Sequence, residues 1–355
     1  MNAKKFSGLL ATVLLLVLPH HTAQAASITV DGTACTLADA ITAANTDTAK
    51  GGCPAGSGTD TITLMKDVVL AAALPTITSV VTIEGQGHKI DGNGGNFSVL
   101  GSALGGNLTL NQATVSGGSN TSGLGGGIYA VNSATVTLNS CTVSGNTAVG
   151  GSGGGIYAYN SATVTLNNST ISRNAAINYG GGIYAEFATI MLNSCTISGN
   201  SASNGGGIYA GLAMVTLKSS LISGNTATSG NEVYNTITAD SHNLFGHRGE
   251  TNAQAFSGFT PGTSDVNATS DGSTPTVLAA ILSPLANNGG PTQTHALPQG
   301  SPAIDLDTTC STGLTTDQRG YTRPVGAGCD AGAFEFGAVA QHVNMTPVYQ
   351  LLLKR

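Results

Sequence analysis

Charge is scarce in this sequence. Only 8% of its 355 residues are Asp, Glu, Lys or Arg, against about 25% in an ordinary globular chain. Twelve basic residues face 18 acidic ones, for a net charge of −6. That balance speaks against nucleic acid and against an anionic membrane surface as partners. The chain nevertheless carries Val, Ile, Leu and Thr in many short runs, which disordered chains lack. Solubility therefore falls to Ser, Thr and Asn. After residue 25 there is no apolar run of the roughly 18 residues that a membrane-spanning helix needs, so no transmembrane segment is expected beyond the leader. Catalytic fingerprints are also missing: no Ser–His–Asp pattern, no P-loop, no nicotinamide motif. No His or Cys set is spaced for a metal site, and no metal or cofactor is expected.

The first 25 residues read as a secretory leader. Lys4 and Lys5 are followed by the apolar run Leu9 to Leu18, and Ala23-Gln24-Ala25 forms a small-x-small cleavage site before Ala26. An exported, secreted or cell-surface protein is expected.

From Gly125 to Asn225 one phrase is written four times: GGGIYA, a spacer, TVTLN or a variant, then a hydroxyl-rich TISGN. Ile128, Ile156, Ile183 and Ile208 mark the period, and Val233 continues it. Periods in the twenties with glycine corners and β-formers between them signal a solenoid of three-strand rungs. Within TVTL, Val136 and Leu138 alternate with Thr135 and Thr137, so the aliphatics face inward. Val143, Ile171, Ile197 and Ile222 fill a third face. A single coil buries too little to fold alone and depends on its neighbours.

Three columns follow from the period. Asn146, Asn174, Asn200 and Asn225 align as an asparagine ladder, expected at a turn where Asn tolerates left-handed backbone angles. Tyr129, Tyr157, Tyr184, Tyr209 and Tyr234 follow the first-face aliphatics and point outward, either as a stack that stabilises the sheet or as a candidate ligand-binding face for sugar rings. Cys141 and Cys195 occupy a slot held elsewhere by Ser169 and Ser220; with a rung between them they lie too far apart to bond. The other cysteines form two local pairs, Cys35 with Cys53 and Cys310 with Cys329, each closing a loop of about 20 residues worth roughly 3 kcal/mol. A calcium nonapeptide repeat is excluded because Gly150 to Ala158 contains no Asp.

Upstream, Ser27–Val30 reads as a strand and Cys35 to Asn45 as a short amphipathic helix, with Thr36 and Asp39 as capping box and Leu37, Ile41 and Ala44 as apolar stripe. Such a helix would cover the open end of a solenoid. Cys35-Thr36-Leu37-Ala38-Asp39-Ala40 resembles the Cys-Ser-Leu-Arg-Glu-Ala (CSLREA) motif of a bacterial secreted family, departing from it at the Arg and the Glu. The strands at Asp60 to Leu64 and Leu74 to Gly94 are similar to the opening rungs of pectin-lyase-like β-helices, which implies a right-handed coil. Asn243 to Gly246 is expected to be the last regular rung. Beyond it, Ser283 to Asp305, Thr316 to Pro324 and Cys329 to Glu335 together resemble the terminal domain of the bacterial surface family called choice-of-anchor Q. That resemblance implies a module that ends a β-helix and precedes a sorting signal. Only residues 336–355 follow it, closing in PVYQLLLKR; a remnant, a truncated signal and a docking strand all fit this tail.

The expected organisation is a leader (1–25), an N-terminal cap (26–60), an all-β right-handed parallel β-helix (61–246), irregular rungs with a C-terminal cap (247–335), and a tail (336–355). The expected function is non-enzymatic adhesion to glycans or other surface polymers. Acid–base cleavage of polysaccharides needs paired carboxylates, and between Gly101 and Gly230 the only charged residues are Arg173, Glu186 and Lys218. A polysaccharide lyase or glycoside hydrolase is the alternative, with Asp60, Glu84 and Asp91 or Asp317 as its carboxylates. A structural spacer or matrix protein is the third. His88 and His295 read as structural. Asp317, Arg319, Arg323, Asp330 and Glu335 read as a hydrogen-bonded cap on the final rung.

Overall fold

The structure is a computed structural model that describes residues 25–239 and 242–340; the expected leader, apart from Ala25, and most of the expected tail lie outside them. Among the described residues, the strands form two nine-stranded sheets, one seven-stranded sheet and a three-stranded strip, and every pairing between named strands is parallel. The repeats stack in register. Ile128 pairs with Ile156, Ile156 with Ile183, Ile183 with Ile208 and Ile208 with Val233. The alternation read from TVTL is seen directly: Val136 and Leu138 are buried while Thr135 and Thr137 are half-buried. The fold is an all-β parallel β-solenoid.

The helix Leu37–Thr46 packs on the first strands, burying Leu37, Ala40, Ile41, Ala43 and Ala44. Thr36 caps it, its hydroxyl accepting from the Asp39 amide at 3.1 Å. Two boundaries move. Ser27–Val30 pairs with Thr59–Leu64, so the first coil already begins inside the expected cap, because SITV has the alternation of a sheet strand. Pairing also runs past Gly246, through Phe256–Ser257 and Val266–Asn267. The core ends there on three packed rings, Phe245, Phe256 and Phe259, with centroids 5.0–6.1 Å apart.

The C-terminal module is not a lid on the last rung. It folds back along the outer face of the third sheet, reaching Ser140 and Thr142 through Thr292 and Gln293, and Thr170 through Gln318. The outward column of that sheet explains the path. It reads Thr142, Thr170, Thr196, Leu221, Leu244. The threonines hydrogen-bond the module, and the leucines join a second hydrophobic core with Ile281, Leu297, Ala331 and Phe334.

Both local cysteine pairs are disulfides, Cys35–Cys53 and Cys310–Cys329. Cys141 and Cys195 are free and buried, each donating to backbone carbonyls as Ser169 and Ser220 do in the alternate coils. Burial pushes both thiols up to about 12, which leaves them unreactive.

Candidate functional site

Strand alternation turns the tyrosine column outward. Tyr157, Tyr184, Tyr209 and Tyr234 then stack on one another, with centroids 4.9, 5.4 and 5.1 Å apart and nearly parallel rings. Tyr179 leans in from a neighbouring loop, 4.7 Å from Tyr209. Tyr129 departs from the column: its hydroxyl bonds Thr76 at 2.5 Å, and its ring fills the space over Gly101. The inner rings spend their faces on each other, and Tyr184 is only 7% exposed. What the stack offers a ligand is therefore ring edges and hydroxyls. The Tyr184 hydroxyl donates to Glu186; burial first, and then this carboxylate, raise the phenol above its ordinary value.

Beside the stack, the turn closing each first-face strand changes along the axis. Asn132 and Asn160 hold the turn in two coils, linked amide to amide at 2.7 Å. Phe187 and Leu212 hold it in the next two, joined by a backbone hydrogen bond at 3.1 Å. Phe187 is 49% exposed, Leu212 74% and the adjacent Met214 62%. Together with Glu186, Tyr209, Asn235 and Thr236 the last two line an open cleft of about 830 Å³. Reading the repeat as uniform hid this cleft; its signal is the replacement of Asn by Phe and Leu at one turn.

The buried asparagine column is continuous. Asn146 donates its backbone and side-chain amides to Asn174 Oδ1 (3.1 and 3.0 Å), Asn174 to Asn200, and Asn200 to Asn225. Left-handed angles belong to the preceding residue instead, Gly145, Arg173, Gly199 or Gly224. The side chain points inward, where its value is hydrogen bonding. A second, half-buried ladder runs Asn193, Asn167, Asn139, Asn111 and ends on Glu84 at 2.7 Å. The buried ladder ends likewise on Glu232, which accepts from Asn225 Nδ2 at 2.5 Å. Each chain of amides stops at a carboxyl oxygen, so the last asparagine of each ladder keeps an acceptor.

The carboxylates considered for catalysis are apart. Asp60 is fully buried and accepts from the Ser57 and Ala26 amides. Glu84 anchors the ladder on one sheet, and Asp91 pairs with Lys89 at 2.6 Å on another. Asp317 is fully buried and paired with Arg319 at 2.7 Å. Arg319 also lies over the Phe334 ring at 3.6 Å. Arg323 Nε sits 3.1 Å from Glu335 Oε2, both out of solvent, at an angle that is not that of a hydrogen bond. Asp330 accepts from the Asp305 amide at 2.8 Å, and burial pushes it up to about 7. These five groups knit the returning module internally. His88 has a partner that linear spacing concealed: Asp67, one coil earlier, lies 3.3 Å from its Nδ1. A second cluster was also hidden, Glu232, His247 and Glu250, whose ligating atoms lie within 4.8 Å of one another. Burial and then the nearby Glu250 raise Glu232 well above the ordinary carboxylate range.

Residues 76–227 match a known family. Its description is right handed beta helix region. The match spans the coils from Ile77 to the last asparagine of the buried ladder, and the solenoid is a right-handed parallel β-helix. No curated protein and no solved structure matches the chain. The right-handed β-helix match covers the tyrosine stack as far as Tyr209 and part of the cleft, and ends before Glu232 and Tyr234.

Proposed function

We propose that the protein is exported and serves outside the cytoplasm as a non-enzymatic, adhesin-like β-helix that holds a glycan or other surface polymer along the tyrosine edge. The observation that carries this reading is the cleft where Tyr209, Leu212 and Met214 meet Glu186, Asn235 and Thr236. Apolar side chains and ring edges beside a few hydroxyl and amide groups suit the amphipathic faces of sugars. Two disulfides are compatible with an oxidising compartment, and no helix among the described residues is long and apolar enough to cross a membrane. The leader and the similarity of the terminal module to choice-of-anchor Q domains support export and retention at a cell surface.

A spacer or matrix role is the second reading, favoured by the face-to-face packing of Tyr157, Tyr184 and Tyr209. A polysaccharide array probed with the purified protein separates the readings, with product release assayed on every hit. Binding without products, weakened by Tyr209→Ala and by Leu212→Ser with Met214→Ser, supports the adhesin. Binding to nothing favours the spacer. Reducing ends or unsaturated sugars among the products would overturn both and establish the lyase or hydrolase.

A further inference from the structure

The coil beginning at Glu232 breaks the repeat at one chemically decisive position. Gly155, Gly182 and Gly207 precede the first-face aliphatic in their coils, and a Cβ on any of them would meet the ladder asparagine amide at 3.0–3.2 Å. Glycine leaves that slot to Asn174, Asn200 and Asn225. The next coil has no asparagine after Phe245-Gly246. Its slot is filled from the other side by Glu232, one residue before Val233 in the register Ile208–Val233. The side chain is fully buried and accepts from the Gly224 amide at 2.7 Å and from both Asn225 amides.

Where the asparagine would stand, His247-Arg248-Gly249-Glu250 makes a turn closed by the Glu250 amide on the His247 carbonyl at 3.1 Å. This turn aims His247 Nδ1 between two carboxylates, 3.1 Å from Glu250 Oε1 and 4.0 Å from Glu232 Oε1. Gly249 gives the ring its room, since a Cβ there would come within 2.6 Å of Nε2. Glu250 is itself buried, and its Oε2 accepts from Asn231 Nδ2 at 2.7 Å.

We propose that Glu232, His247 and Glu250 form a binding site for a divalent transition-metal cation of the Zn²⁺ class. Two carboxylates buried side by side repel one another, and a single imidazolium would balance only one of them. A divalent cation balances both. Ligands held about 2.0–2.2 Å from a tetrahedral Zn²⁺ lie about 3.4 Å apart, a separation that the 3.1 and 4.0 Å contacts bracket. An imidazole nitrogen among the donors favours a transition metal over Ca²⁺ or Mg²⁺. Amides of Gly224, Asn225 and Asn231 orient both carboxylates from outside, as partners of metal ligands do. His247 is 20% exposed, which leaves a side for entry and for a water as fourth ligand. The bound ion would tie the end of the asparagine ladder to the turn that follows it.

The test is titration of untagged, EDTA-stripped protein with ZnCl₂, and with CaCl₂ in parallel, by calorimetry and equilibrium dialysis. The expected result is one Zn²⁺ per chain and a melting midpoint that rises with Zn²⁺. Co²⁺ should give a visible absorption band of a nitrogen–oxygen site. His247→Ala and Glu250→Gln should each lower Zn²⁺ affinity by more than the roughly 10–100-fold that losing an outer partner costs, while His88→Ala changes nothing. Circular dichroism in EDTA establishes that the variants fold; His247→Ala, at a partly exposed residue, decides the matter if Glu250→Gln does not. The proposal is overturned if folded wild type binds no Zn²⁺ saturably, if binding survives His247→Ala, or if Ca²⁺ binds more tightly than Zn²⁺. In the first case the carboxylates share a proton instead.

Discussion

His295 and Ser172, 123 residues apart in sequence, are joined by a 2.9 Å hydrogen bond between Nε2 and the serine hydroxyl. The other ring nitrogen lies 2.7 Å from the Ser283 carbonyl. A carbonyl only accepts, so Nδ1 carries the proton and Nε2 accepts from Ser172. The neutral ring thus pins the returning module to the coil that begins at Ile156.

Burial, with Arg173 nearby, holds this imidazole down at about 4, below its ordinary 6.5. A depressed histidine contributes stability that is complete above pH 6.5 and lost as pH falls through the folded value near 4. Below pH 4 the loss should reach about 3 kcal/mol. Asp330 has the opposite sign: raised from 3.8 to about 7, it favours the fold increasingly as pH falls across that window. The comparison is therefore between wild type and His295→Asn. Urea unfolding from pH 7 to pH 4 should show their difference in stability shrinking by about 3 kcal/mol; a constant difference would remove His295 from the acid response.

Asn174→Ala should cost about 3–5 kcal/mol, because it strands two amide groups of Asn146 and the Val143 carbonyl in the core. Asn167→Ala, in the half-buried ladder, should cost about 1 kcal/mol, since water reaches its partners. Equal losses in denaturant melts would mean that the buried ladder has no special weight.

Gly155→Ala places a methyl group 2.7 Å from the Gly182 carbonyl and 3.0 Å from Asn174 Nδ2. Overpacking of this kind costs about 1–3 kcal/mol. The double variant Gly155→Ala with Asn174→Ala should lose less than the sum of the two, because the shortened Asn174 frees the space; simple additivity in thermal unfolding would show that the two sites do not share a slot.

Cys310→Ser with Cys329→Ser opens a loop of sequence separation 19 and should destabilise the module by about 3 kcal/mol. Because the module lies along the solenoid rather than beyond it, amides of Thr170 and Thr196 should also gain hydrogen-exchange rate in this variant. Unchanged exchange there would contradict the docked arrangement.

Periodicity alone determined the solenoid, the inward aliphatics, the outward tyrosines and the aligned asparagines. Each is a local consequence of strand alternation repeated at fixed spacing, so the stacking of one coil on the next needs no further information. The cysteine pairs and the capping helix were legible for a similar reason, both being short-range features. Three things were decided only in space. The tyrosine rings turned toward each other, because neighbouring coils bring flat faces about 5 Å apart. The terminal module returned along the third sheet, because Leu221 and Leu244 leave that outer face apolar where earlier coils have threonine. Glu232, His247 and Glu250 met at one point, because a missing asparagine in one coil and an added carboxylate at a glycine position become complementary only when the coils are stacked.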